Sequence, residues 1–138
     1  MAVEQTLILA KPDATSRGLA GEILARFERR GFALRATRLL RVDRALAEEH
    51  YAEHSAKPFF GELVAFITSG QTLAFVLEGE GVIATARTTI GATNPAEATP
   101  GSLRGDFASA MPNNLVHGSD SSASAEREIA LWFPDGLV

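Results

Sequence analysis

Thr6-Leu7-Ile8-Leu9-Ala10, near the start of the chain, is an unbroken apolar run. A short apolar run of this kind predicts a buried strand, and Lys11-Pro12-Asp13 ends it. Apolar residues then recur at helical spacing over residues 19–27, and Gly31 stands where a C-cap glycine is expected. The chain therefore opens with a strand that is followed by an amphipathic helix.

The rest of the chain alternates strands and helices in a similar way. We predict further strands at residues 32–42, 72–77 and 115–117. The predicted helices cover residues 44–55, 59–67, 82–90 and 124–133. Two split strand-helix-strand units of this kind indicate an α/β (α+β) sandwich that is ferredoxin-like, with a four-stranded antiparallel sheet covered by helices.

Residues 91–114 interrupt the pattern. They hold three prolines together with glycines and asparagines, and they show little periodicity. Loops this long are uncommon in compact domains and are usually functional or disordered. This loop leads directly to His117, so we predict that it is functional. No linker or repeat is evident, and 138 residues suit a single domain over residues 1–138.

Composition narrows the classes of function. The chain has no cysteine, which excludes disulfides, thiol nucleophiles and cysteine-based metal sites. Its net charge of −4 disfavours nucleic acid as a partner, although Lys11, Arg87 and Arg104 can still bind a small anion if they gather. No signal peptide or membrane-length apolar run is evident, so we expect a cytoplasmic protein that does not associate with membranes.

Residues 114–120, Asn-Leu-Val-His-Gly-Ser-Asp, carry the clearest chemical pattern. His117 ends a short apolar run and precedes a glycine and two small polar residues. A nucleophile needs this setting, because the ring must project from a rigid strand end into space that a substrate can enter. Histidine can also take up and release a group near neutral pH.

Several fragments, taken together and in order, match one family. They are Lys11-Pro12-Asp13, Arg17-Gly18-Leu19, His50-Tyr51, Lys57-Pro58-Phe59-Phe60, Gly91 to Pro95, Arg104 to Phe107, Asn114 to Asp120 and Ser124 to Ile129. In this spacing the chain resembles a nucleoside diphosphate kinase over nearly its whole length. The Asn-x-x-His-Gly-Ser-Asp core is close to diagnostic of that family, whereas a fragment such as Lys-Pro-Asp is weak alone.

The resemblance implies an enzyme that moves the γ-phosphate of a nucleoside triphosphate to a diphosphate by a ping-pong mechanism. It implies that His117 carries the phosphate on Nδ1, the ring nitrogen nearer the backbone. Glu128 would bind the far ring nitrogen, and Ser119 would link to this pair. Tyr51 would lie close to the γ-phosphate and the histidine.

The resemblance also implies a set of nucleotide-binding residues. Arg87, Arg104 and Thr93 would clamp the phosphates, since phosphoryl transfer depends on positioning and on neutralising the equatorial oxygens. Lys11 would lie near the sugar and phosphates and share the ribose hydroxyls with Asn114. Phe59 would stack on the base, which explains broad base specificity, because every base has a π-face.

The implied substrates are ATP and other nucleoside tri- and diphosphates. Mg²⁺ would arrive with the nucleotide, and the sequence predicts no dedicated metal site. The family assembles as tetramers or hexamers built from dimers, so a homo-oligomer is expected. Met111-Pro112-Asn113 departs from the common family pattern before Asn114, and the chain stops at Val138, shorter than members with a long C-terminal tail.

Other interpretations remain open. A nucleotide-binding, regulatory member of the same fold would keep the site but transfer little phosphate. His50 and His54 match the H-x-x-E-H pattern of zinc hydrolases, although no third ligand is evident. Residues 79–84 resemble a dinucleotide fingerprint, but no parallel strand obviously follows them, so a plain strand-to-helix turn is favoured.

Overall fold

A four-stranded antiparallel sheet forms the centre of the computed structural model, which describes residues 2–138. The strands are β1 (Val3–Ala10), β2 (Ala33–Arg41), β3 (Gln71–Glu80) and β4 (Val116–Gly118), in the order β2-β3-β1-β4. Each neighbouring pair is antiparallel. The predicted ferredoxin-like α+β architecture is therefore confirmed.

The five predicted helices occur in the predicted order, with differences at their ends, and two short helices, Pro12–Ser16 and Leu103–Phe107, were not predicted. They are α1 (Pro12–Ser16), α2 (Ala20–Arg29), α3 (Arg44–His50), α4 (Phe60–Ile67), α5 (Val82–Ile90), α6 (Leu103–Phe107) and α7 (Ser122–Trp132). Two short 3-10 helices lie at Ala52–His54 and Pro95–Glu97. Within residues 2–138, no helix combines the length and the apolar character that crossing a membrane requires.

Strand β1 divides the interior into two cores, because successive side chains of a strand point to opposite faces. Ile8 and Ala10 pack with the buried faces of α2 and α5 on one side. Leu7 and Leu9 pack with residues of α3, α4 and α7 on the other. The early apolar run is thus buried on both faces, as its unbroken hydrophobicity indicated.

Two sequence predictions were wrong in detail. The helix predicted at residues 44–55 ends at His50, and a 3-10 turn follows. The segment 91–114 is not wholly irregular, because it contains Pro95–Glu97 and α6. Lys11-Pro12-Asp13 ends β1 as predicted, and α1 begins within it at Pro12, where proline's missing N–H costs nothing.

Helix α6 is held by short-range contacts that the periodicity could not reveal. The Ser102 side chain caps it by accepting a hydrogen bond from Gly105 N at 3.0 Å. A Cβ on Gly105 would overlap the Thr99 carbonyl, so only glycine fits at this position. These contacts set the position of Arg104, which α6 carries into the candidate site.

Candidate active site

His117 lies in β4 opposite Leu9 of β1, beside a cavity of about 350 Å³. Nine of the ten predicted site residues line this cavity: Lys11, Tyr51, Phe59, Arg87, Thr93, Arg104, Asn114, His117 and Glu128. Ser119, the tenth, is fully buried and hydrogen-bonds to Glu128. The fold thus brings together residues that are as much as 117 positions apart in the sequence (Lys11 to Glu128).

His117, Glu128 and Ser119 form a hydrogen-bonded chain. Glu128 Oε1 lies 2.9 Å from His117 Nε2 and accepts a hydrogen bond from Ser119 Oγ at 2.8 Å. Burial alone would raise the pKa of Glu128, but the hydrogen bond and charge of His117 and the Ser119 hydroxyl together lower it. A carboxylate can only accept, so neutral His117 carries its proton on Nε2 and leaves the lone pair of Nδ1 free.

Arg104 is a buried guanidinium that hydrogen-bonds to main-chain carbonyls. Only 3 % exposed, it donates to the carbonyls of Asn114, Gly91 and Val116 at 3.1, 3.0 and 2.6 Å. Burial, and after it the nearby charge of Arg87, lowers its pKa to about 10 against a smaller opposing effect from Asp13. Carbonyl partners fix the guanidinium without neutralising it, so the charge remains available to an anion.

Lys11 adds a third cation to the same cavity. Burial, followed by the charge of Arg104, lowers its pKa to about 8, against a smaller opposing effect from Asp13. Its Nζ donates to Asn114 Oδ1, and Asn114 Nδ2 donates to the Thr93 carbonyl at 3.0 Å. Crowding the cations Lys11 and Arg104 in a buried place is unfavourable without an anion, which indicates a site shaped for phosphates.

Leu115 holds an unusual backbone conformation directly before the histidine strand. Its φ of 70° is the only positive value among non-glycine residues in the described part of the chain. Val116 N donates to the Asn114 carbonyl across it at 2.8 Å, which is the three-residue γ-turn that is rare because it is strained. The Asp13 carboxylate accepts from Leu115 N at 2.9 Å and helps to fix the turn. Nothing in the sequence signals this turn.

The outer part of the cavity is aromatic. Phe59 is 43 % exposed, and its ring packs near His54 and below the Lys57 ammonium. An exposed ring at the mouth of a cavity suits stacking on a flat ligand. Deeper in, burial and then the charge of Glu128 raise the pKa of Tyr51 to about 12, so its phenol stays protonated.

His50 belongs to the site in a way that sequence analysis missed. Trp132 Nε1 donates to His50 Nδ1 at 3.1 Å, so a neutral His50 carries its proton on Nε2. Ligand atoms of His50, His117 and Glu128 lie within 4.8 Å of one another, but these hydrogen bonds leave His50 no free lone pair for a metal. His54 lies beyond the end of α3 and does not share a helix face with His50. The geometry does not favour the zinc hypothesis.

The fold and the cavity define a class: a ferredoxin-like α+β protein in which a histidine with one free ring nitrogen faces clustered cations, as in a phosphotransferase. The family model "Nucleoside diphosphate kinase" matches residues 4–138. The chain is 57 % identical to nucleoside diphosphate kinase 1 of Spinacia oleracea over 136 residues, which cover 99 % of this chain and 92 % of that protein. It is 56 % identical to the nucleoside diphosphate kinase of Exiguobacterium sibiricum over 131 residues, which cover 95 % of each chain.

Solved structures of nucleoside diphosphate kinases have the same fold as this chain. The nucleoside diphosphate kinase of Halobacterium salinarum in complex with CDP superposes with a TM-score of 0.96 at 46 % identity, covering 99 % of this chain and 92 % of that one. A nucleoside diphosphate kinase family protein from Babesia bovis gives a TM-score of 0.94 at 43 % identity, covering 98 % and 92 %. The chain belongs to the nucleoside diphosphate kinase family.

Proposed function

We propose that the protein transfers the γ-phosphate of a nucleoside triphosphate to a nucleoside diphosphate in two half-reactions through a phosphohistidine at His117. One observation carries the proposal. The bond from His117 Nε2 to Glu128 leaves Nδ1 without a hydrogen-bond partner, beside a cavity lined by Lys11, Arg87 and Arg104. That arrangement suits attack by a ring nitrogen on a bound phosphate.

In the first half-reaction, Nδ1 of His117 attacks the γ-phosphorus. The nitrogen–phosphorus bond forms, the bond to the β,γ-bridging oxygen breaks, and its electron pair leaves with the diphosphate. The Nε2 proton stays on the ring, and the Glu128 carboxylate stabilises the positive charge that the ring acquires. A second diphosphate then attacks the phosphohistidine from the same cavity, and the steps run in reverse.

The remaining predicted residues position the nucleotide. Arg87 and Arg104 neutralise the phosphate oxygens with Thr93, and Lys11 with Asn114 binds the sugar and phosphates. Tyr51, as a neutral phenol, can donate a hydrogen bond close to the γ-phosphate without adding charge. Phe59 stacks on the base and reads no base edge, which gives broad base specificity. The Halobacterium relative solved with CDP supports a nucleoside diphosphate as the second substrate.

Mg²⁺ enters this scheme with the nucleotide. Magnesium prefers oxygen ligands and retains water, so phosphate oxygens and water would supply most of its shell. Among the cavity carboxylates, Glu128 is bonded to His117 and Ser119, whereas Asp120 is exposed, hydrogen-bonds to Ser124 and could also approach a hydrated ion. When bound, the ion neutralises charge on the β- and γ-phosphates.

We further propose one catalytic domain over residues 1–138, a cytoplasmic location and a homo-oligomer. The absence of cysteine fits a reducing compartment. Family resemblance supports a tetramer or hexamer built from dimers, and light scattering coupled to size-exclusion chromatography would distinguish these states.

The experiment is brief exposure to γ-labelled ATP with Mg²⁺, followed by a chase with GDP. We expect acid-labile label on the protein that leaves onto the diphosphate, and no label on His117→Ala. Glu62→Gln, which changes an exposed residue of α4, is the matched control and should label normally. If the folded protein binds ATP but takes no label, it is the regulatory alternative instead, and label retained by His117→Ala would refute the proposed nucleophile.

A further inference from the structure

His50 is a buried histidine that the scheme above does not use. It ends α3, is 3 % exposed and lines the same cavity as His117. Burial lowers its pKa to about 3, and the charge of His117 contributes in the same direction. The ring is therefore uncharged throughout the physiological pH range.

Trp132 fixes the tautomer of this ring. An indole N–H can only donate, and it lies 3.1 Å from His50 Nδ1. Trp132 is fully buried at the end of α7, so no water competes for this bond. His50 Nδ1 is then an acceptor, Nε2 carries the proton, and the ring cannot flip without leaving a buried donor unpaired.

The fixed ring packs directly on His117. The two ring centroids lie 4.8 Å apart with the planes at 80°. Tyr51 and Trp132 pack on His50 in the same edge-to-face manner, at 4.8 and 5.5 Å. Among residues 2–138, Glu128 is the one side chain that hydrogen-bonds to the His117 ring. The χ2 angle, which sets the plane of a histidine ring, has a broad distribution in proteins. The hydrogen bond at Nε2 restricts this ring in part, and the perpendicular His50 ring packed beside it restricts the rotation that remains.

We propose that His50, held in one tautomer by Trp132, is a positioning residue that sets the plane of the His117 ring so that Nδ1 faces the bound phosphates. The inference rests on the proposed role of His117. Because the ring is neutral, it performs this task without placing a second positive charge beside the imidazole that becomes phosphorylated. A misplacement of about 1 Å in a reacting group can slow a reaction on the order of 100-fold.

Two variants separate the ring from its hydrogen bond. His50→Asn keeps an acceptor near the place of Nδ1 for Trp132 but removes the ring that contacts His117. We expect labelling by γ-labelled ATP to slow by about 10- to 100-fold while the nucleotide KM changes by less than about twofold. Val64→Ala, in the core cluster that contains Trp132 but outside the cavity lining, controls for loss of packing and should label at the normal rate.

Trp132→Phe keeps the His50 ring but removes its N–H partner. Without this donor nothing holds His50 in one tautomer, so the ring of His117 should be less well oriented. We expect labelling to slow by about 2- to 10-fold, less than in His50→Asn, because the His50 ring still packs against His117.

The readouts distinguish the two proposals. Long-range ¹H–¹⁵N spectra of the histidine rings should show His50 protonated on Nε2 in the wild type and a mixture of states in Trp132→Phe. If His117→Ala takes no label but His50→Asn labels like Val64→Ala, the positioning role is refuted while the nucleophile stands. A wild-type His50 protonated on Nδ1 would also overturn the inference. Label on His117→Ala would refute the proposed function itself.

Discussion

Lys11 should make the free protein less stable at neutral pH than at alkaline pH. Its pKa falls from an ordinary 10.5 to about 8 on folding, because it is buried beside Arg104. Below about pH 8 the Lys11 ammonium stays charged in both the folded and the unfolded protein. Burying that charge then lowers the free energy of unfolding by about 3 kcal/mol. Between about pH 8 and 10.5 the unfolded chain binds the additional proton, so stability rises with pH across that window.

The perturbation is Lys11→Met, which keeps a chain of similar length without the charge. The variant also leaves Asn114 Oδ1 without the Lys11 donor, at a cost of about 1–3 kcal/mol, so its net effect at pH 7 is small. The change of this difference with pH is the more decisive test. The free energy of unfolding of the wild type, minus that of the variant, should rise by about 2–3 kcal/mol from about pH 7 to about pH 10.

Urea unfolding at fixed protein concentration measures this difference, since an oligomer's stability depends on concentration. Lys57→Met removes an exposed ammonium, so its free energy of unfolding should change with pH in the same way as that of the wild type. Nucleotide phosphates would raise the pKa of Lys11, so binding of ADP should take up protons near pH 8, as calorimetry in buffers of different ionisation enthalpy would show. If the free energies of unfolding of the wild type and Lys11→Met change in parallel with pH, the reasoning is refuted.

Three further substitutions test other parts of the site. Ser119→Ala removes the hydroxyl that donates to Glu128 within the core; we expect a loss of about 1–3 kcal/mol in urea unfolding and slower labelling, and an unchanged labelling rate would contradict the linking role. Phe59→Ala should weaken binding of ATP, GTP and CTP about equally, by roughly 1–3 kcal/mol each in titration calorimetry, whereas a base-dependent loss would refute simple stacking. Gly105→Ala should displace α6 because its Cβ would overlap the Thr99 carbonyl; normal nucleotide affinity would show that the segment adapts.

The order of strands and helices was predictable because it depends on local spacing. The apolar run at residues 6–10 and the recurrence from residue 19 are visible without any long-range information. Helix ends were less predictable: α3 stops at His50, although the following residues continue a helix-favouring composition. Helix α6 escaped notice because five residues are too short for a hydrophobic period, and its cap at Ser102 is a local contact within a segment rich in turn formers.

The candidate site also contains residues that the sequence predicted and features that it did not. The motif around His117 and its resemblance to one family led to the residues that line the cavity, and the structure brings them together. The sequence places His50 in a family fragment and in a zinc pattern but gives no sign of its contact with Trp132, which lies 82 positions away with no spacing rule to connect them. The strain at Leu115 was invisible for a different reason: leucine has no preference for positive φ, and the conformation is imposed by the core and by Asp13.

The packing of His50 and the turn at Leu115 both compensate for the shortness of β4. A strand of three residues pairs only with Ile8–Ala10, so few backbone contacts fix the position of His117. The fold compensates from both ends, with the turn at Leu115 fixing where the strand begins and the buried Ser119 side chain donating to Glu128 beyond it. Neither contact constrains the ring of His117 about its own axis, and His50 packs against that ring edge to face. We therefore expect His117, as the proposed nucleophile on so short a strand, to depend on a rigid neighbour at its side, and an uncharged His50 suits that role because it adds no positive charge beside the ring that accepts the phosphate.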